Sequence, residues 1–333
     1  MRQILKYFLL GVLILILFFI GYFSIGKTEP AKEISWGVNF SQKLTEDLGL
    51  DWQETYLALL DDLKVKNIKL ITNWDLIEPE EGNYNFENLD WQIKKAEERG
   101  TKLLLVIGMR TPGWPECHLP NWAKNLTKKE QQEKILNLIE KIVLRYKDQA
   151  SIWAWQVENE SFFPFGKCPW KDKNFLKKEI NLVKSLDSQN RPIIISDSGE
   201  FSFWITAANL GDIVGTTLHR RVYSEQLKLY VSHYWFKPVY YWKKAQIIKK
   251  LFGKEVICGE LQAMPWCSVP LSQCSLQEQE KTMNLEEFQK NIEFAKKTGL
   301  KEFYLWGTEW WYWLKEKQNK PEIWNEARNY LII

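Results

Sequence analysis

The order of short apolar runs along this chain constrains its fold more than any other feature. Eight runs read as strands: Ile34 to Phe40, Ile68 to Thr72, Leu103 to Gly108, Ile152 to Glu160, Pro192 to Ser196, Ile213 to Leu218, Val256 to Gly259 and Phe303 to Trp306. They are brief and mostly rich in β-branched or aromatic residues, as buried strands are. Helical spacing appears between them, first at Tyr56, Leu57, Leu59, Leu60 and Leu63 within Asp51 to Val65. It returns in Glu130 to Tyr146, Phe175 to Leu186, Tyr240 to Phe252, Leu285 to Lys297 and Pro321 to Leu331. Strands alternating with helices imply a parallel sheet, because each crossover must carry the chain back to the same end of the sheet. Eight such units in 333 residues predict an α/β fold, a (β/α)8 TIM barrel spanning residues 34–333, without a second globular domain.

The residues before the barrel have a different character. Phe8 to Ile25 carries no charge, and Arg2 and Lys6 precede it while Lys27 follows. That pattern predicts an N-terminal membrane-inserting helix within residues 1–26, with residues 8–25 in the membrane. The run is long for a signal peptide and lacks an Ala-x-Ala-like cleavage site, which favours an uncleaved signal anchor over secretion after cleavage. The basic N-terminal flank places the barrel on the extracytoplasmic side. Residues 27–33, with Pro30, form a short linker.

The charge balance of 45 basic against 42 acidic residues, +3 overall, gives no reason to expect a nucleic-acid partner. The 18 Trp, 13 Tyr and 17 Phe are the unusual part of the composition. Most large rings fill a core, but those at strand ends and in loops offer flat faces on which sugar rings pack. Cys117, Cys168, Cys258, Cys267 and Cys274 contain no CxxC pair, so no zinc site and no other metal is indicated, and no cofactor is implied. Cys117 and Cys168 fall in the loops after adjacent strands, while Cys267 and Cys274 share one loop. Two disulfides are expected on the extracytoplasmic side, with Cys258 left as a buried thiol.

The polar residues that end the strands carry the chemistry. The fourth run finishes in Asn159-Glu160 and the seventh is followed by Glu260. This pair resembles clan A of the retaining glycoside hydrolases, (β/α)8 barrels with an Asn-Glu ending strand four and a Glu ending strand seven. Two further phrases resemble the cellulase-like family 5 and the β-galactosidase and β-xylosidase-like families 42 and 39. They are Trp74 through Glu78-Pro79, Gly82, Tyr84, Phe86 and Leu89-Asp90, and the turn Thr111-Pro112-Gly113-Trp114.

The resemblance implies that Glu160 is the acid/base and Glu260 the nucleophile, with Asn159 on the sugar's 2-hydroxyl and Trp306 flooring the subsite. Trp153, Trp155 and Trp306 are the expected apolar walls around Glu160. His219 ends strand six where the clan often has a His followed two residues later by a Tyr. Arg221 stands in that second place, which leaves Tyr223 as its substitute. Asn39, Trp114 and Glu309 complete the candidate substrate-binding set, and the aromatic run Trp310 to Trp313 offers a stacking platform. Glu200 is a lesser subsite candidate, and Glu158 competes with Glu160 but lies deeper in its strand. Lys69 stands on strand two where many members have Arg, so a changed partner for the nucleophile is expected. An oligo- or polysaccharide is the implied substrate. The alternatives are a carbohydrate-binding pseudoenzyme and a transglycosylase acting on cell-envelope glycans.

Overall fold

In the computed structural model, residues 2–332 are described. Ten strands form: β1 (Ser35–Phe40), β2 (Asn67–Ile71), β3 (Lys102–Ile107), β4 (Ile152–Val157), β5 (Ile193–Asp197), β6 (Ile213–Leu218), β7 (Arg221–Ser224), β8 (Leu229–Ser232), β9 (Val256–Gln262) and β10 (Glu302–Trp306). Eight of them close a parallel barrel in the order β1-β10-β9-β6-β5-β4-β3-β2. The expected strands all appear, shifted by a residue or so at their ends. The larger differences are at the fourth, which stops at Val157, and the seventh, which continues to Gln262 and so places Glu260 inside the strand. The β7–β8 hairpin was not anticipated. Its strands are four residues each, short for a sequence signal, and apart from the exposed Leu229 every residue is half-buried, so no face is set apart.

The barrel interior changes character along its axis. Leu104, Ala154, Ile194, Ile257 and Tyr304 form an apolar layer at one level. The barrel also buries the polar groups Asn39 on β1, Lys69 on β2, Gln156 on β4 and Glu260 on β9. Asn39 straps three strands together, its Nδ2 donating to the carbonyls of Gly259 at 3.1 Å, Tyr304 at 3.3 Å and Leu305 at 3.3 Å. Gly37 on β1 makes room for the interior ring of Tyr304, since a Cβ there would lie 2.9 Å from Tyr304 Cδ1 and 2.7 Å from the Asn67 carbonyl. The outward faces of the strands pack on the surrounding helices in one large core. Helix starts are capped as their sequences dictate. Asp51 and Asp172 each accept from two backbone amides, and Thr127 with Glu130 forms a capping box.

The helix Arg2–Ser24 projects its apolar side chains outward, and its span Lys6–Ser24 is long and apolar enough to cross a membrane. Its C-terminal end is seated on the barrel. Phe23 is buried against Phe203 and Tyr240, and Lys243 Nζ donates to the carbonyls of Tyr22 and, at 2.8 Å, Ile25. The following segment also lies against the barrel, because the Glu29 carbonyl sits 2.7 Å from where a Cβ of Gly299 would project.

Cys117 pairs with Cys168 and Cys267 with Cys274, while Cys258 is free and buried. The first bridge joins the loop after β3 to the loop after β4 across 51 residues of sequence. Titration of the denatured, unreduced protein should therefore find one reactive thiol per chain. Replacing Cys117 and Cys168 together with Ser should lower the unfolding free energy by about 2–4 kcal/mol in urea titrations.

Candidate active site

The turn after β4 is bent by two residues in the left-handed region, Glu158 at φ 59° and Glu160 at φ 39°. Such conformations cost about 1–3 kcal/mol for a residue other than Gly and persist where the surroundings impose them. Here Glu158 supplies the constraint. Its carboxylate accepts from the backbone amides of Met109 at 2.8 Å and Arg110 at 2.7 Å, and a Cβ on Gly108 would lie 2.3 Å from its Oε1. Glu179 is lifted well above the usual carboxyl range by burial and by Glu158 beside it, and burial raises Glu158 as well. Glu158 is thus a brace between β3 and β4, and the next two residues are delivered to the barrel mouth.

Glu160 is 7% exposed; its backbone amide donates to Ser196 Oγ at 2.9 Å and its Oε1 accepts from Thr217 Oγ1 at 3.2 Å. Burial raises its carboxyl well above the usual range, with Glu260 and then Glu116 adding to the rise and Arg110 opposing it. The same physical causes keep a general acid protonated near neutral pH. Glu260 has a different environment. Lys69, fully buried on β2, places its Nζ 2.8 Å from Glu260 Oε1, and His219 Nε2 lies 3.8 Å from Oε2. The His219 ring is pushed toward the neutral form by burial. Two carboxyls of one chemical type therefore have opposite surroundings, one favouring its proton and one paired with a cation.

Both carboxyls open into one cavity of about 390 Å³. Trp306 lies on one side of it, with its Cη2 3.9 Å from the position of a Gly113 Cβ. A chain of edge-to-face and tilted rings, Trp114 to Phe165 to Trp266 to His219, forms another wall, with centroid separations of 5.9, 5.5 and 5.0 Å. The segment Met264 to Ser272, closed by the Cys267–Cys274 bridge, completes the rim.

Of the residues singled out in the sequence, Glu160, Glu260, His219, Trp114 and Trp306 meet in this cavity. Asn159 lies just behind it. Its Oδ1 accepts from Gln156 Nε2 and Ser196 Oγ, both at 3.0 Å, and its Nδ2 donates to Glu116 Oε2 at 3.2 Å. Asn39, Tyr223 and Glu309 lie outside the cavity lining. The Nδ2 of Asn39 is spent on the strap described above, while its Oδ1 is buried without a hydrogen-bond partner. Tyr223 faces Tyr230 across the β7–β8 hairpin, with ring centroids 5.3 Å apart. Glu309 accepts from the Ser41 amide at 2.6 Å, and burial lifts its carboxyl to about 7.

The expected stacking platform is corrected. Thr308–Gln318 is a helix, and Trp310, Trp311 and Tyr312 are buried in the core. Trp153 and Trp155 are not walls either. Trp155 points outward, its Nε1 donating to Asp187 at 2.9 Å, and Trp153 packs on the apolar layer within the barrel. Glu200 accepts from the His219 amide at 2.9 Å and Tyr241 hydroxyl at 2.7 Å, which makes it a support for His219.

Glu116 was missed. It is 5% exposed, lines the cavity beside Glu160 and Glu260, and is raised to about 7 by burial, with Arg110 lowering and Glu260 raising. Nothing in Pro115-Glu116-Cys117 signals this, because an acid in an aperiodic loop ordinarily faces water. The neighbouring Cys117 was the available clue, since its bridge fixes the loop.

Comparison with known proteins agrees with this geometry. The family model described as glycosyl hydrolase family 10 matches residues 38–179, from β1 into the helix after β4. The endo-1,4-beta-xylanase 1 of Humicola insolens is 28% identical over 129 residues, 35% of this chain and 28% of its own length. A xylanase 10B from Thermotoga petrophila, solved with xylobiose, superposes with TM-score 0.54 at 17% identity, covering 83% of this chain and 82% of that one. A GH5_18 protein from Streptomyces cattleya, solved with GlcNAc, gives TM-score 0.58 at 13% identity over 83% of this chain and 70% of that one. These matches are to glycoside hydrolases of clan A. Within the clan, the family model that matches is family 10, outside families 5, 42 and 39 whose phrases the sequence resembles. Its match ends at residue 179, before β9 and Glu260.

Two predictions follow from burial in this site. Lys69→Met leaves Glu260 charged and unpaired, and should cost about 3–5 kcal/mol in urea unfolding at neutral pH. The double variant Lys69→Met/Glu260→Gln should recover much of that loss. For Glu309 the folded carboxyl titrates at about 7 against 4.5 in the unfolded chain. The folded state therefore binds the extra proton in between, and this contribution is fully present below about pH 4.5 and lost as pH rises through 7. Glu309→Gln keeps an acceptor for the Ser41 amide without the titration. Calorimetry should find its Tm gaining on wild type as pH rises from 4.5 to 8.

Proposed function

We propose that this protein is a retaining β-glycoside hydrolase, anchored by its N-terminal helix with the barrel outside the cytoplasm. The observation that carries this reading is the opposed environment of Glu160 and Glu260 within one aromatic-walled cavity. Retaining hydrolysis needs two carboxyls about 5–5.5 Å apart with different protonation states at the start of the cycle. Glu160, kept protonated by burial and by the neighbouring negative charges, donates to the glycosidic oxygen as the bond breaks. Glu260, its Oε1 held by Lys69 at 2.8 Å, attacks the anomeric carbon and forms the glycosyl ester. Once the ester forms, the charge on Glu260 is gone and Glu160 loses a reason to hold its proton. It can then act as base on the incoming water.

Trp306 supplies a flat face for the sugar and the Trp114–Phe165–Trp266 wall lines the approach to it. The named relatives include xylanases, β-galactosidases and proteins solved with GlcNAc or Manβ1-4GlcNAc, which supports a β-linked pyranoside substrate. The chain spans 28% of the length of the Humicola insolens xylanase and 54% of that of a β-galactosidase from Marinomonas ef1. For anchorage, the support is the 19-residue apolar span with its basic flank, together with two disulfides, which persist in oxidising compartments.

The test is a panel of aryl β-glycosides and β-linked oligosaccharides followed by NMR of the released anomer. Retained configuration is expected. Glu260→Gln should lose at least about 10³-fold in kcat. Glu160→Gln should be impaired most on substrates with poor leaving groups and regain rate with added azide. An inverted product, or full activity in Glu260→Gln, would reject the mechanism.

A further inference from the structure

The third carboxyl in the cavity, Glu116, is unused by the mechanism above, and its position says what substrate the site favours. Glu116 acts electrostatically on Glu160, and Glu260 acts on Glu116, so all three groups share one small space. With the anomeric carbon between Glu160 and Glu260, the ring atoms beside it are the ring oxygen and C2. The ring oxygen has no proton to give. A carboxylate accepts hydrogen bonds, and the substituent on C2 is the group beside C1 that can donate one to Glu116.

Glu116 is held in place at the cavity wall. Its Oε1 accepts from the Gly113 amide at 3.2 Å and its Oε2 from Asn159 Nδ2 at 3.2 Å. Arg110 Nε stands 3.7 Å from Oε2, and the two guanidinium ends of Arg110 are committed to the carbonyls of Phe163 and Phe165. Two carboxylate oxygens offer about four acceptor sites, so capacity remains on the cavity side.

Charge then selects among possible donors. With Glu160 protonated, the carboxylates lining the cavity are Asp47, Glu116, Glu225 and Glu260, against Lys43. Lys69 and Arg110 sit behind the wall in pairs with Glu260 and Glu116. This is an acidic cleft in a chain whose net charge is +3. It repels uronic acids, gives a neutral hydroxyl a single hydrogen bond, and gives an ammonium group both the hydrogen bond and relief of the repulsion between Glu116 and Glu260.

We propose that Glu116 is a specificity-determining residue and that the cleft selects β-glycans whose sugar at the cleaved position carries a free, protonated amino group on C2. This rests on the hydrolase reading above and names its substrate class. An ammonium on C2 opposes the positive charge that develops on C1 in the transition state. Glu116 offsets that opposition, so its effect falls on kcat more than on KM. An acetamido group at C2 gains none of this, being neutral and larger.

The experiment compares the full-length protein in detergent with its Glu116→Gln variant on 4-nitrophenyl β-glycosides of glucosamine, glucose and N-acetylglucosamine. The expected wild-type kcat/KM is at least about tenfold higher on the 2-amino sugar than on either partner. In Glu116→Gln the 2-amino to 2-hydroxyl ratio falls by about tenfold or more, through kcat. Wild type that hydrolyses the 2-hydroxyl or 2-acetamido sugar as well as the 2-amino one overturns the proposal and leaves the hydrolase standing. Hydrolysis of none overturns both. Should Glu116→Gln fail to fold, competition on wild type replaces it. Glucosamine oligosaccharides should then inhibit more strongly than cello-oligosaccharides and lose that advantage in high salt. Equal inhibition at low salt overturns the proposal.

Discussion

A lysine ammonium with no exposure to solvent is tenable in a protein when an opposite charge meets it. Lys69 and Glu260 meet this requirement inside the barrel, and the rest of the site is arranged around their pair. Lys69 reaches its partner from β2, on the far side of the barrel from β9, so the contact forms only when the barrel is closed in the right register. The polar level of the barrel, with Gln156 and the Asn39 strap, lies at the same height and supplies hydrogen bonds where an apolar core would leave charges stranded. Glu160 has no such cation at hand, and that asymmetry separates two glutamates that the sequence presents as equivalents.

The loops above the barrel are held by covalent and polar ties. The Cys117–Cys168 bridge joins the β3 and β4 loops, Arg110 spans the same gap to Phe163 and Phe165, and Glu158 closes it from below. Glu116 at φ 74° and Glu160 at φ 39° are held within this braced pair of loops. Preorganisation of this kind places charge before substrate arrives, which is where much of an enzyme's electrostatic advantage originates.

The barrel was legible in the sequence because strand and helix periods differ and repeat eight times, and because a strand ending in a carboxylate is a local pattern. Glu160, Glu260, His219 and Trp306 were singled out because they end such strands. What could not be read was direction. Trp155 and Trp310 look like Trp306 in the sequence, yet the first points out of the barrel and the second lies in a core helix. Asn39 and Glu309 sit at strand ends as site residues do, but are consumed by backbone partners. Glu116 was invisible for the converse reason. Its place is set by a crosslink to a residue 51 positions from its neighbour, and no local pattern encodes that.

The seat of the N-terminal helix changes how the molecule can search for its substrate. Phe23 buried on the barrel, Lys243 closing the helix end and Glu29 lying against Gly299 leave little slack between helix and barrel. For a chain held in a bilayer, this is a stiff mount in place of a flexible tether. With the anchorage proposed above, the mouth of the cleft would keep a set height and bearing above the lipid, and encounters with polymer would become a two-dimensional sweep along the surface. Glycans at that height are sampled repeatedly, while those farther out are beyond reach however well they fit.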